Sequence, residues 1–585
     1  MVAMGAMAVT FAPGAAAAGS RVPHWTDPVQ LSPDVCGGYE PGMVIDKYGN
    51  IFVTAHKQNQ CDAAASDPNS PYMARAASFL WTSTDGQTWT DVPNTTAAGV
   101  PEPYQADVGD EGDLSMDDAG NLYFVDTKVK EDSFTQWSVT GPGTSNMALV
   151  QHSPVIGTIQ AVDDRPWITS HGTSTVMFAD NEGDKDSNPV SAQNSASGCG
   201  PGRYTVYMSH SNGTPTSWDH VGCELPDSGW CRPAADHLSG SNYIYVVCNN
   251  DGGADDNVHN PGDQGYTVGT LWAYVSADDG ATWSRYKMDS YNTDFPGNVD
   301  YTWPSAVVDK NGYVYALHVA YDTGNDAGLG TTMTSSSGET RYEKTAHMLL
   351  YRSTDHGKTW AKQEVTPPNA GLIHYSWMAV GSDGRIGIGY FDHSHAIAPN
   401  PNYGQPNHPT ASKNTINYGD WHVYGGISPA FGQPVTYSIA DPMEVAPVGN
   451  FAFGDFFEVA FDPSNLLNIV YTRCTAYTQD VTAPSPVGTQ STDCENSQIE
   501  YVRQIPEATG PVPTTPSATI SPSPTHAPAS PSPRVAAPLP TAAPLPNTAF
   551  ADLRRTAAAL VAVLGMLLAV AAALGGRRPE RLHRS

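Results

Sequence analysis

Acids, arginines and aromatics collect at the openings of several β-rich stretches of this chain. They are Asp110, Glu111 and Asp113; Asp163, Asp164, Arg165 and Trp167; Arg232, Asp236 and His237; Tyr301 and Trp303; His374, Tyr375 and Trp377; and Asp455 with Glu458. Carboxylates beside Arg, Tyr and Trp are what cleavage of a glycosidic bond requires. One acid protonates the leaving oxygen, a second carboxylate or a carboxylate-activated Tyr meets the sugar cation, and aromatic faces hold the ring. Asp164, Glu458 and Tyr301 are the candidates for that catalytic work, with Tyr301 and Glu458 as the nucleophile pair. Arg165, Trp167, Arg232, Asp236, Trp303, Tyr375 and Trp377 are the candidates for holding a ligand. The competing explanation for each is a polar residue that caps a strand end and hydrogen-bonds to its neighbours or to water. No Gly-rich phosphate loop, H-E-x-x-H or G-x-S-x-G is present, so phosphoryl transfer, zinc proteolysis and an elbow-serine hydrolase are poor readings.

Charge narrows the partners. The formal net charge is −30, and the stretch after Ile505 is itself basic, so the remainder is more acidic still. Such a surface repels phosphate backbones, which excludes nucleic acid as a partner and leaves cations and neutral or basic ligands. The loop Asn249 to Asn257 and the cluster Asp107 to Asp113 offer the oxygen donors that suit Ca2+, but neither has EF-hand spacing. Ordinary solvated turns are the better explanation of both, and no motif requires a cofactor. Eight Cys at 36, 61, 199, 223, 231, 248, 474 and 494 contain no C-x-x-C pair, which favours disulfides in an oxidising compartment over zinc. Of the roughly 105 connectivities open to eight Cys, pairing by sequence neighbours would join Cys36 to Cys61, Cys199 to Cys223, Cys231 to Cys248 and Cys474 to Cys494.

The elements that position the candidate residues come from a repeat. An apolar strand, an Asp or Gly turn and a second β-rich strand recur around Asp46, Asp117, Ser170, Ser239, Asp309, Gly381 and Asp462. Tyr, Val, Ile and Phe alternating with polar residues about such turns make each copy a hairpin. Several copies are followed by a second hairpin with its own mark. Ser276, Asp278, Gly280 and Trp283, and Ser353, Asp355, Gly357 and Trp360, fit S-x-D-x-G-x-T-W without deviation. Ser83, Asp85 and Trp89 belong to a copy one residue shorter, and Ser209 to Trp218 is a degenerate copy.

This pattern resembles the Asp-box, or bacterial neuraminidase repeat, of sialidases and related β-propellers. The resemblance covers about residues 30 to 505 and implies an all-β propeller of four-stranded blades. Seven repeats give seven blades, with six the alternative because the second and third copies are irregular. The Asp-box residues identify a fold and carry no reaction. A sialidase would add three Arg that clamp the substrate carboxylate. Arg165-Pro166 and Arg232-Pro233 are only faintly similar to the family's Arg-Ile-Pro motif, and no motif selects a third Arg from Arg385, Arg473 or Arg503.

The ends give an expected address. Residues 1–18 are small and apolar and close on Ala16-Ala17-Ala18, as a signal peptide does, although no basic residue precedes Arg21. Residues 506–544 are rich in Pro, Ser, Thr and Ala and form an extended stalk, on the order of 100 Å long at about 3.1 Å per residue. Residues 557–575 form an uncharged apolar run of transmembrane length, and the Arg-rich tail 576–585 is expected in the cytoplasm. Leu545, Pro546, Asn547, Thr548 and Ala549 stand ahead of that run. The order of pentapeptide, apolar span and basic tail resembles the cell-wall sorting signal read by sortases of Gram-positive bacteria, with Ala where the commonest signal has Gly. A plain membrane anchor is the alternative.

Three function classes follow. The first is a surface module binding carbohydrate or another extracellular ligand at the channel mouth. The second is a sialidase-like glycoside hydrolase, and the third is a structural, cation-binding surface protein. Binding stands ahead of hydrolysis because the arginine set is not recognisable.

Overall fold

The computed structural model describes residues 22–31, 38–56, 78–92, 112–128, 131–154, 163–182, 204–214, 217–222, 225, 230–250, 270–290, 304–321, 332–334, 340–342, 346–368, 370, 372–393, 398–399, 414–415, 421–446, 457–477 and 494–506. Cα packing separates Met1–Thr509 from Gly510–Ser585, and every described residue belongs to the first unit. The proposed signal peptide, stalk, sorting motif and apolar span lie outside the described residues. No described helix is long and apolar enough to cross a membrane.

Strands build seven four-stranded antiparallel sheets, with Thr144–Asn146 the one short helical turn among the described residues. Their innermost strands are Tyr39–Ile45, Gly112–Met116, Asp163–His171, Trp230–Ala235, Ser305–Val308, Leu372–Val380 and Glu458–Phe461. Each innermost strand packs on the next, and the seventh packs on the first, so the sheets close into a ring. This is a seven-bladed β-propeller, and the turn of each sequence repeat falls on the first hairpin of a blade. Blades 1 to 6 take their four strands in chain order; two small strand pairs, Thr332–Thr334 with Thr340–Tyr342 and Ala398–Pro399 with Asn414–Thr415, interrupt blades 5 and 6. Blade 7 is composite. Its outer strand is Val29–Gln30, paired with Tyr501 and Glu500 of the last strand, Cys494–Arg503. Beside this closure Trp25 bridges to Gln504, and Ile505 donates its N–H to the His24 carbonyl.

Antiparallel succession sorts the connections between the two faces of the ring. Turns between first and second strands, and between third and fourth, gather at one face, the turn end. Connections between second and third strands, and from one blade to the next, leave from the opposite face, the loop end, where the innermost strands begin. Residues 57–77, 93–111, 183–203, 251–269, 291–303 and 478–493 lie outside the described residues.

Sequence dictates both kinds of turn. In the first hairpins a single Asp accepts from backbone amides two and four residues on, as Asp46 does from Tyr48 and Asn50, Asp309 from Asn311 and Tyr313, and Asp462 from Ser464 and Leu466. In the S-x-D-x-G-x-T-W turns the Ser hydroxyl accepts from the Gly amide and donates to the Asp. The Asp accepts from the Thr amide and hydroxyl, and the Trp indole donates to the Gly carbonyl. These turns also join blades. Gly357, at φ +76, would place a Cβ 2.9 Å from Val275 of blade 4, and Gly86 lies against Tyr501 of blade 7. Between the sheets run apolar layers of alternating strand residues, such as Phe52, Leu80, Leu114, Leu122, Phe124 and Trp137 between blades 1 and 2.

Candidate functional site

At the loop end of the channel, three non-neighbouring blades bring charged side chains to one point. Arg232 comes from the innermost strand of blade 4, Asp113 from that of blade 2 and Glu458 from that of blade 7. Arg232 Nη2 donates to Glu458 Oε2 at 2.7 Å, and Nη1 stands 3.3 Å from Asp113 Oδ2. The guanidinium carbon lies 4.1 Å from the ring centre of Trp167 and 5.3 Å from that of Trp377, and the two indoles are 5.8 Å apart. Blades 2, 3, 4, 6 and 7 thus meet at one arginine.

Local irregularities aim these side chains. The first hairpin of blade 3 shifts register between Asp164 and Trp167, and that of blade 6 between His374 and Ser376. Tyr375 is the extra residue of the second bulge and takes φ 43. Pro166 and Pro233 are tolerated because an innermost strand is a sheet edge facing the channel. Cys231, next to Arg232, forms a disulfide with Cys248 directly across the hairpin, the pairing expected from sequence neighbours.

The site holds two carboxylates against one cation in a setting nearly closed to solvent. The side chains of Asp113, Glu458 and Arg232 are 1 %, 10 % and 12 % exposed. Burial pushes the Glu458 carboxyl up to about 8, with Arg232 opposing the shift and Asp113 adding to it. Burial likewise raises Asp113, against Arg232 and the Ile168 amide that donates to it at 3.0 Å. Asp113 Oδ1 and Arg232 Nη1 are buried without hydrogen-bond partners.

Of the sequence candidates, Glu458, Arg232, Trp167 and Trp377 converge here. Tyr375 lies in the same core cluster as the two indoles, fully buried. Asp236 sits at the turn end, where it accepts from the Leu238 amide and the Ser241 hydroxyl, away from Arg232. Asp164 and Arg165 belong to the innermost strand of blade 3, and their side chains lie outside the description; Tyr301 and Trp303 lie outside the described residues. Ser83, Asp85 and Trp89 and the other S-x-D-x-G-x-T-W residues are at the turn end. Of the stretches read as suiting Ca2+, Asp107 to Asp113 and Asn249 to Asn257, only Gly112, Asp113, Asn249 and Asn250 are among the described residues. Among the described residues no group of three or more His, Cys, Asp or Glu is arranged to hold a metal ion.

A second polar cluster escaped the sequence reading. Asp279 of blade 4 pairs with His171 Nε2 at 2.6 Å and with His210 Nδ1 at 3.1 Å, both from blade 3. The hydrogen bond and charge of His171, with those of its neighbours, hold the Asp279 carboxyl below the usual range despite burial. Asp279 occupies the slot before Gly280 at φ 60. In the same slot Asn212, at φ 58, accepts from Tyr123 of blade 2, and His356, at φ 59, stacks 4.0 Å from Tyr243 of blade 4. Aligning the S-x-D-x-G turns on their Gly would have singled out this slot.

Neither a known protein family nor a curated protein matches the sequence. Solved structures do align with it. A protein of unknown function from Dyadobacter fermentans is 13 % identical with TM-score 0.37, covering 83 % of this chain and 99 % of its own. An endosialidase of phage phi92 is 12 % identical with TM-score 0.38, covering 85 % and 71 %. An alpha-L-arabinanase of Penicillium chrysogenum, complexed with arabinobiose, is 11 % identical with TM-score 0.35, covering 82 % and 98 %.

Proposed function

We propose that this chain is an exported, surface-anchored propeller of the Asp-box kind that binds an extracellular ligand, carbohydrate foremost, at the loop end of its channel. Export and anchoring rest on the sequence of residues 1–18 and 545–585. The observation that carries binding ahead of hydrolysis is the position of Arg232. It lies over both indoles and between both carboxylates, so the acids are engaged with a resident cation rather than set apart around a sugar ring. The cluster serves as the floor of the site.

Glycoside hydrolysis is the second reading, favoured by Glu458. A carboxyl raised to about 8 by burial keeps its proton at neutral pH and suits a general acid. A glycan array and a sialyl reporter assay on the purified protein separate the two. Retention on glycans without release of sialic acid is the expected result; release that Glu458→Gln abolishes overturns binding in favour of hydrolysis.

A further inference from the structure

The channel floor has the composition of a receptor for a cation. Two indole faces attract a guanidinium through their quadrupoles, and the carboxyl oxygens of Glu458 and Asp113 stand beside it as acceptors for its N–H groups. The occupant in this structure is the chain's own Arg232. Its fit is incomplete. Nη1 approaches Asp113 Oδ2 to 3.3 Å without a hydrogen bond, and Asp113 Oδ1, on a side chain 1 % exposed, receives no donor. Held from its own strand, Arg232 does not present its whole fork to both acids, and a buried donor and acceptor left unmade are costly. A free guanidinium carries no tether and can turn to meet both. The acidic surface of the chain would concentrate such a ligand.

We propose that the floor of the channel is a cation cage with Arg232 as its intramolecular occupant, and that its external ligand is a guanidinium or alkylammonium group competing for that place. This rests on the loop end being the ligand site, and it names the chemistry that the site recognises there.

Methylguanidinium tests the cage independently of any glycan. Intrinsic Trp fluorescence and thermal midpoint are measured for the full chain and for Arg232→Ala as methylguanidinium is added, with urea as the neutral control. The variant is expected to bind methylguanidinium at least about tenfold more tightly than the unaltered chain and to regain its thermal midpoint, with no effect of urea. Equal responses of the two proteins, or a variant no more sensitive to methylguanidinium than to urea, overturn the cage. Should Arg232→Ala not fold unaided, methylguanidinium present during refolding recovers soluble, cooperatively melting protein if the cage is real; recovery no better than with urea rejects it. A blank glycan array would count against carbohydrate binding and leave this result standing.

Discussion

Glu458 and Asp355 respond to pH in opposite senses, and the difference follows from their surroundings. A carboxyl that keeps its proton more tightly in the folded state contributes stability below its unfolded pKa and loses it as pH rises through the folded value. For Glu458 that window runs from about 4.5 to about 8. The thermal midpoint is therefore expected to fall as pH is raised from 5 toward 9, and Glu458→Gln should flatten the slope without removing the part due to Asp113. A rise across the same range in the unaltered chain would refute this. At Asp355 burial pushes upward, but hydrogen bonds from Thr359, Ser353 and Lys358 prevail and hold the carboxyl at about 2. Its contribution is present above the ordinary carboxylate range and is lost as pH falls toward 2. The residue types of the channel site were legible in the sequence, because acids, arginine and indoles opened the repeats. Their partnership was not, since Arg232 meets Glu458 across 226 positions and no local pattern encodes that contact.

Among the elements, the second hairpins of the blades combine local order with contact between blades. Asp355→Ala removes the acceptor for the Ser353 hydroxyl and for the Thr359 amide and hydroxyl, and is expected to cost about 1–2 kcal/mol in urea unfolding. Gly357→Ala should cost about 1–3 kcal/mol, because it forces a side chain into the left-handed region and drives a Cβ against Val275 of the preceding blade. A neutral outcome for Gly357→Ala would show that the turn does not bear on blade 4. These hairpins could be read from sequence because Asp, Gly and Trp are required by the turn itself. Blade 6 reaches four strands without that mark, using Trp421–Ser428 and Thr436–Ala446, so its outer hairpin left no signature.

For the molecule as a whole, closure is the decisive contact. Thr26 and Arg503 bond across 477 positions, and the blade they complete holds the first and last strands of the ring. Trp25 adds an indole packed at Gly425 of blade 6, with Nε1 donating to Ser438. Trp25→Ala is expected to lower stability by about 2–3 kcal/mol, below the range for a fully buried Trp. Removal of residues 22–31 should do more: it leaves blade 7 with a bare edge, and the melt should lose cooperativity or the protein associate through that edge. A deletion that melts as sharply as the full chain, and stays monomeric in light scattering, would show that the ring does not depend on its clasp. The repeat count predicted seven blades, but a two-residue strand borrowed from the far end of the chain has too little pattern to be seen in advance.

The composite blade also fixes the face at which the two described ends of the ring lie. Val29–Gln30 enters from the turn end, and Gln504–Pro506 leaves there beside it, so both ends of the ring depart from one face while the innermost strands open at the other. The chain therefore leaves Pro506 from the face that carries the S-x-D-x-G turns, and the Arg232 cluster lies at the other.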